Sequence, residues 1–155
     1  MRRWEDAGHT YTLARQHFMD KKLTVLVVDD IVSNAKLLAL IMESMFKAKV
    51  ISCFGAQVAL DQAVKNKPDL FMVDINMPTI NGYGFLEKIR AMDEFKNTPL
   101  VAVSANALPE DIQRGLDAGF NAYITKPYDF DDVWRTVCPL VGIDPDAPRP
   151  RPAAA

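Results

Sequence analysis

The sequence predicts an α/β fold: a parallel sheet of five buried strands with helices on both faces. Three observations carry this. Apolar runs of strand length recur, rich in Val, Ile and Leu. Stretches with the helical 3.6-residue period lie between them, and Gly, Pro or Asn punctuates the joins. Strands apolar on both faces and joined by crossover helices form parallel sheets covered on each side. Right-handed crossovers leave few topologies.

Leu23 to Val28 is a strand by its β-branched content, and Asp29 and Asp30 follow at once. Ser33 is placed to cap the next helix. Leu38, Ile41, Met42 and Met45 recur at i, i+3, i+4 and i+7, with Leu37 and Leu40 widening the stripe. Lys49 to Phe54 is the second strand. Gly55 turns the chain into a helix marked by Ala56, Ala59, Leu60 and Ala63, whose small size implies close packing. Asn66-Lys-Pro68 breaks it. Leu70 to Val73 is too short for a helix, so it reads as a buried strand ending on Asp74. Gly82 and Gly84 open a third helix with Phe85, Leu86 and Ile89 inward. Leu100 to Ser104 is the fourth strand. Pro109 suits the first turn of the next helix, Glu110 and Asp111 favour its positive end, and Gly119 suits its far end. The apolar face of that helix is thin: Ile112, Leu116 and Ala118. Phe120 to Thr125 is the fifth strand. Asp129 caps a last helix carrying Phe130, Val133, Trp134 and Val137.

The 155 residues suffice for one domain with a sizeable core. The reading divides them into an N-terminal arm (1–22), the α/β domain (23–143) and a Pro/Arg-rich tail (144–155) expected to be extended and mobile. In the arm, Trp4, Tyr11, Leu13 and Phe18 show no clean period, and His9 and His17 read as solvated. The net charge of −2 argues against bulk binding to nucleic acid or an anionic membrane. Five basic and three acidic groups lie in residues 1–22, eleven and fifteen in 23–143, so the folded middle is acidic. Cys53 and Cys138 match no metal spacing and read as buried free thiols of a reducing compartment. With no membrane-length apolar run and no signal-peptide h-region, the expected location is the cytoplasm.

The chemistry lies at the strand ends. The first strand ends on Asp29-Asp30, the third on Asp74, the fourth on Ser104, and Lys126-Pro127 follows the fifth. In an open α/β sheet, carboxyl ends of strands converge on one ligand-binding rim. Each residue alone has a bland reading: a turn, a cap, a solvated lysine. Together they are harder to dismiss. Carboxylates this close repel unless a cation lies between them. An all-oxygen donor set selects a hard ion, and Mg²⁺ fits best, since it keeps waters and leaves room for a phosphoryl oxygen. Lys126 adds a point charge and Ser104 a hydroxyl, which suits phosphoryl transfer with Asp74 as nucleophile.

These residues carry a resemblance. Val-Val-Asp29-Asp30, Asp74 with Asn-Met-Pro two residues on, Ser104-Ala105 and Tyr123-Ile-Thr-Lys126-Pro127 resemble the receiver domain of two-component response regulators, the CheY-like family. The separations of 44, 30 and 22 residues between Asp30, Asp74, Ser104 and Lys126 are those of that family, over about residues 22–142. The resemblance implies a flavodoxin-like doubly wound (βα)5 fold with strand order 2-1-3-4-5. It implies that Asp74 accepts phosphate from a histidine kinase or phosphotransfer protein. Asp30, Asp74 and the Asn76 backbone carbonyl would hold Mg²⁺, with Asp29 acting through water. Lys126 would pair with phosphoryl oxygens, Ser104 would bond the phosphate, and Tyr123 would swing inward behind it. Lys126-Pro127 would be cis. Asn76 and Asn106 would modulate hydrolysis of the acyl phosphate. Ser104 replaces the family's commoner Thr and keeps the hydroxyl.

The resemblance implies a phosphoacceptor switch rather than an enzyme, with at most self-phosphorylation from small donors and self-dephosphorylation. A downstream protein partner is expected through residues 105–135, with no direct contact to nucleic acid, no membrane insertion and a homodimer as an open option. A stand-alone regulator is the expectation, and a receiver segment of a hybrid kinase or larger regulator the alternative. A haloacid-dehalogenase-like phosphatase needs a second Asp two residues after the nucleophile, where this chain has Asn76. A flavodoxin needs a hydroxyl- and Gly-rich phosphate loop after the first strand, where Asp29-Asp30 would repel the phosphate.

Overall fold

A computed structural model describes residues 22–149. The arm, with His9, His17 and its aromatic residues, lies outside the described residues, as do 150–155. The five strands are β1 (Thr24–Val28), β2 (Lys49–Cys53), β3 (Leu70–Asp74), β4 (Leu100–Ser104) and β5 (Ala122–Thr125). They form one parallel sheet in the order β2-β1-β3-β4-β5. Five helices connect and follow them: α1 (Val32–Phe46), α2 (Ala56–Asn66), α3 (Gly82–Arg90), α4 (Pro109–Ala118) and α5 (Phe130–Leu140). A 3-10 turn at Asp93–Phe95 bridges α3 to β4.

Each face of the sheet has its own core. On one, Val25, Val27, Met72 and Val101 meet Leu38, Ile41 and Met42 of α1 and Val133, Trp134 and Val137 of α5. On the other, Leu26, Phe71 and Val73 meet Ala59, Leu60 and Ala63 of α2 and Phe85 and Ile89 of α3. The alternation follows from successive strand side chains pointing to opposite faces. Every residue of β3 and β4 is buried, as central strands of a doubly covered sheet require. Cys53 and Cys138 are buried free thiols, and burial pushes their pKa values up to about 11 and about 12.

Several local expectations are corrected. Ser33 lies inside α1, and the cap position is Ile31 with no side-chain cap. Asp29 explains this: its Oδ1 accepts from the Ile31 N–H at 2.9 Å and turns the chain before Ser33 is reached. Leu37 and Leu40 are 53% and 62% exposed, so the buried stripe of α1 is narrower than the apolar one. Phe130 also points to solvent, at the first position of α5. The Trp134 indole N–H donates to the Pro145 carbonyl at 2.8 Å, and Arg149 pairs with Asp131 of α5.

Other expectations hold. Asp129 caps α5 and exchanges hydrogen bonds with Asp132. Pro109 opens α4, and Gly119 ends it at φ 121°. The thin helix is thinner than its sequence suggested. Only Gly115 of α4 is buried, with Ile112 half-buried and Leu116 and Ala118 exposed.

Candidate functional site

The parallel sheet brings the carboxyl ends of β1, β3, β4 and β5 to one rim, because register aligns them strand by strand. Val28 pairs with Val73, Asp74 with Val103, and Ser104 with Thr125. The residues just beyond are therefore neighbours in space. One carboxylate oxygen from each of Asp29, Asp30 and Asp74 lies within 4.8 Å of the others. Asp29 and Asp74 are each 5% exposed.

Lys126 reaches into this cluster. Its Nζ is 3.0 Å from Asp29 Oδ2 and 3.6 Å from Asp74 Oδ2. The Lys126–Pro127 peptide is cis, as the resemblance implied. The backbone N–H of Lys126 donates to the Ser104 carbonyl at 2.8 Å, so β5 hands the lysine to the end of β4. With Asp74 in this company, burial raises its pKa first. Lys126 opposes the rise, Asp29 adds to it, and the bond from the Asn76 N–H opposes it.

The loop after β3 is tied back to its aspartate. The Asn76 N–H donates to Asp74 Oδ1 at 3.1 Å. The Gly82 N–H donates to the Ile75 carbonyl at 2.9 Å, laying the start of α3 on this loop. A Cβ at Gly82 would stand 2.7 Å from Ile75 Cα and 2.8 Å from the Asp74 carbonyl oxygen, so only glycine fits. Between them, Thr79 adopts φ 67°, a left-handed conformation that is costly for a β-branched residue.

Ser104 is fully buried and does not cap α4. Its Oγ accepts from the Asn106 N–H at 3.1 Å and lies 3.5 Å from Asn76 Nδ2, so both asparagines flank the hydroxyl. Tyr123 is half-buried, and its hydroxyl donates to the Asn106 carbonyl at 2.8 Å. All the residues picked from sequence thus meet at or beside one rim. In sequence Gly82 reads only as a helix start. Tyr128 also lies at this site. Burial, with the charge of nearby Asp29, raises its pKa. Its only sequence signal is its place directly after Lys126-Pro127.

The site fits a hard divalent cation. Among the described residues Asp30 Oδ1 is buried without a hydrogen-bond partner, and Asp30 belongs to the three-carboxylate cluster. A buried carboxylate oxygen without a partner is costly unless a ligand completes it. The donors are all oxygen, which suits Mg²⁺.

Comparison with known proteins agrees with this geometry. The family model described as response regulator receiver domain matches residues 25–137. The sensor histidine kinase CheAY of Helicobacter pylori is 46% identical over 61 residues, 39% of this chain and 8% of the kinase. The response regulator Rre1 of Synechocystis is 30% identical over 115 residues, 74% of this chain and 50% of that protein. The chain thus spans half or less of the length of these relatives. Among solved structures, the receiver domain of a Pseudomonas aeruginosa sensor histidine kinase, with magnesium coordinated in its active-site cleft, superposes with a TM-score of 0.71. The identity is 26%, covering 78% of this chain and 98% of that one. From the family match, the five-stranded order and the rim of acids, lysine and hydroxyl, it follows that this chain belongs to the response regulator receiver domain family of two-component signalling.

Proposed function

We propose that this chain is a phosphoacceptor switch in which Asp74 takes a phosphoryl group from a histidine kinase or histidine phosphotransfer protein. The observation that carries this is the partnerless, buried Asp30 Oδ1 beside Asp74, with Lys126 Nζ 3.6 Å from the Asp74 carboxylate. An Asp74 oxygen attacks phosphorus, the P–N bond of the phosphohistidine breaks, and its electron pair stays on the imidazole nitrogen. The product is a mixed anhydride on Asp74. Asp30, Asp74 and the Asn76 carbonyl would hold Mg²⁺, with Asp29 through water. The ion, when bound, neutralises charge on the phosphoryl oxygens. Lys126 exchanges its Asp29 contact for a phosphoryl oxygen. Ser104 donates a hydrogen bond from its hydroxyl to another, and Tyr123 moves in behind it. Asn76 and Asn106 flank the Ser104 hydroxyl beside the anhydride and modulate its hydrolysis. Their amides are poor general bases.

The test is intact mass after incubation with Mg²⁺ and acetyl phosphate. A Mg²⁺-dependent phosphoryl adduct is expected on the native protein and none on Asp74→Ala. An adduct of equal yield on the variant would sink the assignment.

The functional unit is residues 23–143, flanked by the arm (1–22) and the tail (144–155). Phosphorylation adds up to about two negative charges at the rim. The thinly anchored α4, β5 and α5 then form the output face for a downstream protein. Beryllofluoride with Mg²⁺, a phosphate mimic, is expected to shift the amide NMR resonances of residues 105–135. Unchanged resonances there would refute this face.

Two arrangements of the whole protein differ in size. The stand-alone regulator predicts a native polypeptide of 17.3 kDa in cells. A receiver segment of a hybrid kinase or larger regulator predicts a much longer one. Among the described residues no helix is long and apolar enough to cross a membrane. We place the protein in the cytoplasm, where histidine kinases present their phosphate. Fractionation with a membrane pellet would overturn that.

A further inference from the structure

We propose that the flank of α5 formed by Trp134, Arg135 and Asp131 is a peptide-binding site, and that the chain's own residues 144–149 occupy it as a tethered, displaceable ligand. The strap so formed closes the α1–α5 side of the domain. It uses none of the rim residues, so it stands whether or not Asp74 takes phosphate.

The end of α5 sends the chain back along the helix. Gly142 adopts φ 72°, the left-handed conformation that suits glycine after a helix, and the Ile143 N–H donates to the Cys138 carbonyl at 2.9 Å. The next four residues form a turn that their own sequence favours, with Asp144 first and Pro145 second. The Ala147 N–H donates to the Asp144 carbonyl at 3.0 Å, and the Asp146 N–H donates to Asp144 Oδ1 at 2.9 Å. A ligand whose shape is set by local bonds loses little freedom on docking.

Three contacts seat this segment on α5 in antiparallel order. The Trp134 indole N–H donates to the Pro145 carbonyl at 2.8 Å. Arg135 Nη1 stands 3.9 Å from Asp146 Oδ1, and Arg149 pairs with Asp131 in the first turn of the helix. As the tail advances, its partners thus step back toward the start of α5. Both ends of the seat are prepared for such a ligand. Trp134 is 3% exposed and stacks on Phe46 of α1, so its N–H needs an acceptor brought to it. Arg135 Nε holds Asp131 Oδ2 at 3.1 Å, which leaves Oδ1 for a second guanidinium. An indole donor for a carbonyl of a proline-bearing segment, beside a carboxylate for arginine, is the chemistry that recognises Pro/Arg peptides.

The seat is held weakly enough to exchange. Only the indole contact involves a buried side chain; Arg135, Asp146 and Arg149 are exposed, where ion pairs contribute little. The sequence Pro148-Arg149-Pro150-Arg151-Pro152 also offers a second arginine two residues on. Tethering makes up for the weak contacts, since a short tether holds its ligand at about millimolar effective concentration. A segment of another protein that presents a turn carbonyl and an arginine competes for the same two groups, Trp134 and Asp131.

The test is the anisotropy of a fluorescently labelled peptide of residues 144–155, titrated with three full chains: unsubstituted, Arg149→Glu with Arg151→Glu, and that pair with Asp131→Lys. The charge-reversed tail is expected to leave its seat. That chain should then bind the peptide about tenfold more tightly than the unsubstituted one, the ratio that a tether at about 1 mM gives for a peptide dissociation constant of about 0.1 mM. Adding Asp131→Lys should abolish binding. Equal affinity for the first two chains, or binding that survives Asp131→Lys, overturns the proposal. So does a peptide that binds none of the chains up to about 1 mM, because a strap that weak would not stay closed. The Trp134 indole resonance gives a second readout by NMR. It should shift in the charge-reversed chain and return to its native position as peptide is added. An indole that keeps its native position in the charge-reversed chain marks a fixed packing contact, and the strap is then no ligand.

Discussion

Asp74 sits in a conflict that its own burial creates. Its raised pKa means that the folded protein holds this proton more tightly than the unfolded chain does. Between the unfolded value, near about 4, and the higher folded one, the native state binds more protons, so stability falls as pH rises through that window. Without Mg²⁺, Asp74→Asn is expected to remove this decline and to stabilise the fold at neutral pH. Denaturant unfolding from pH 4 to 7 measures it, and an equally steep decline in the variant would refute the assignment. The gain comes at the cost of function, since the carboxamide cannot take the phosphoryl group. The two buried thiols show the same upward shift with a different outcome. Cys53 and Cys138 are buried among apolar groups with raised pKa values, so both stay protonated and inert at neutral pH.

At the scale of elements, the approach of α3 to the β3 loop is what gives Asp74 its position. The helix begins at Gly82, whose Cα lies against the backbone of Asp74 and Ile75, and Asn81 caps it by accepting from the Gly84 N–H at 3.0 Å. Gly82→Ala puts a methyl into backbone rather than into a movable side chain. It is expected to destabilise by about 2–4 kcal/mol, measured by urea unfolding, and to depress Asp74 phosphorylation beyond what stability explains. A stable, fully phosphorylated variant would show that the loop tolerates the displacement. The contrast with Gly115 is physical: one glycine faces main chain and the other faces a rotatable ring. The same scale accounts for the narrow stripe of α1. Leu38, Ile41, Met42 and Met45 span the face that the sheet and α5 can cover, and Leu37 and Leu40 fall outside it.

Across the whole molecule, repulsion at the rim is a standing load on the fold. Three carboxylates are held together with one lysine among them, and one buried oxygen has no partner. A cation bound to the native state alone stabilises it by mass action. At ten times its dissociation constant, Mg²⁺ is expected to add about 1.4 kcal/mol, read as a rise in Tm. Asp30→Asn should abolish most of that increment. A variant that retained the full Mg²⁺ response would place the ion elsewhere. The far side of the fold carries a different closure. Phe46 of α1 stacks on Trp134 of α5 at 5.2 Å between ring centres, and the Trp134 indole N–H holds Pro145. The chain after α5 is thereby pinned along the α1–α5 side, away from α4.

Local pattern alone determined much of this protein. Short apolar runs and 3.6-period stretches placed all five strands and five helices, because each buries a face whose period is written in consecutive residues. The ends of those strands named Asp29, Asp30, Asp74, Ser104 and Lys126, because parallel strands deliver their carboxyl ends to one rim whatever the loops do. The strand order was not in the periodicity. It entered through the motif spacing, and the 2-1-3-4-5 sheet bears it out. What tertiary structure decided depends on residues far apart in the chain. Lys126 pairs first with Asp29 across a separation of 97 residues, Asp29 turns the chain at Ile31 so that Ser33 falls inside α1, and the tail meets Trp134. Gly82 and Gly115 look alike in sequence, as single small residues in helices. Only packing shows that one touches backbone and the other a tyrosine, since the meaning of an absent side chain lies in what occupies its place.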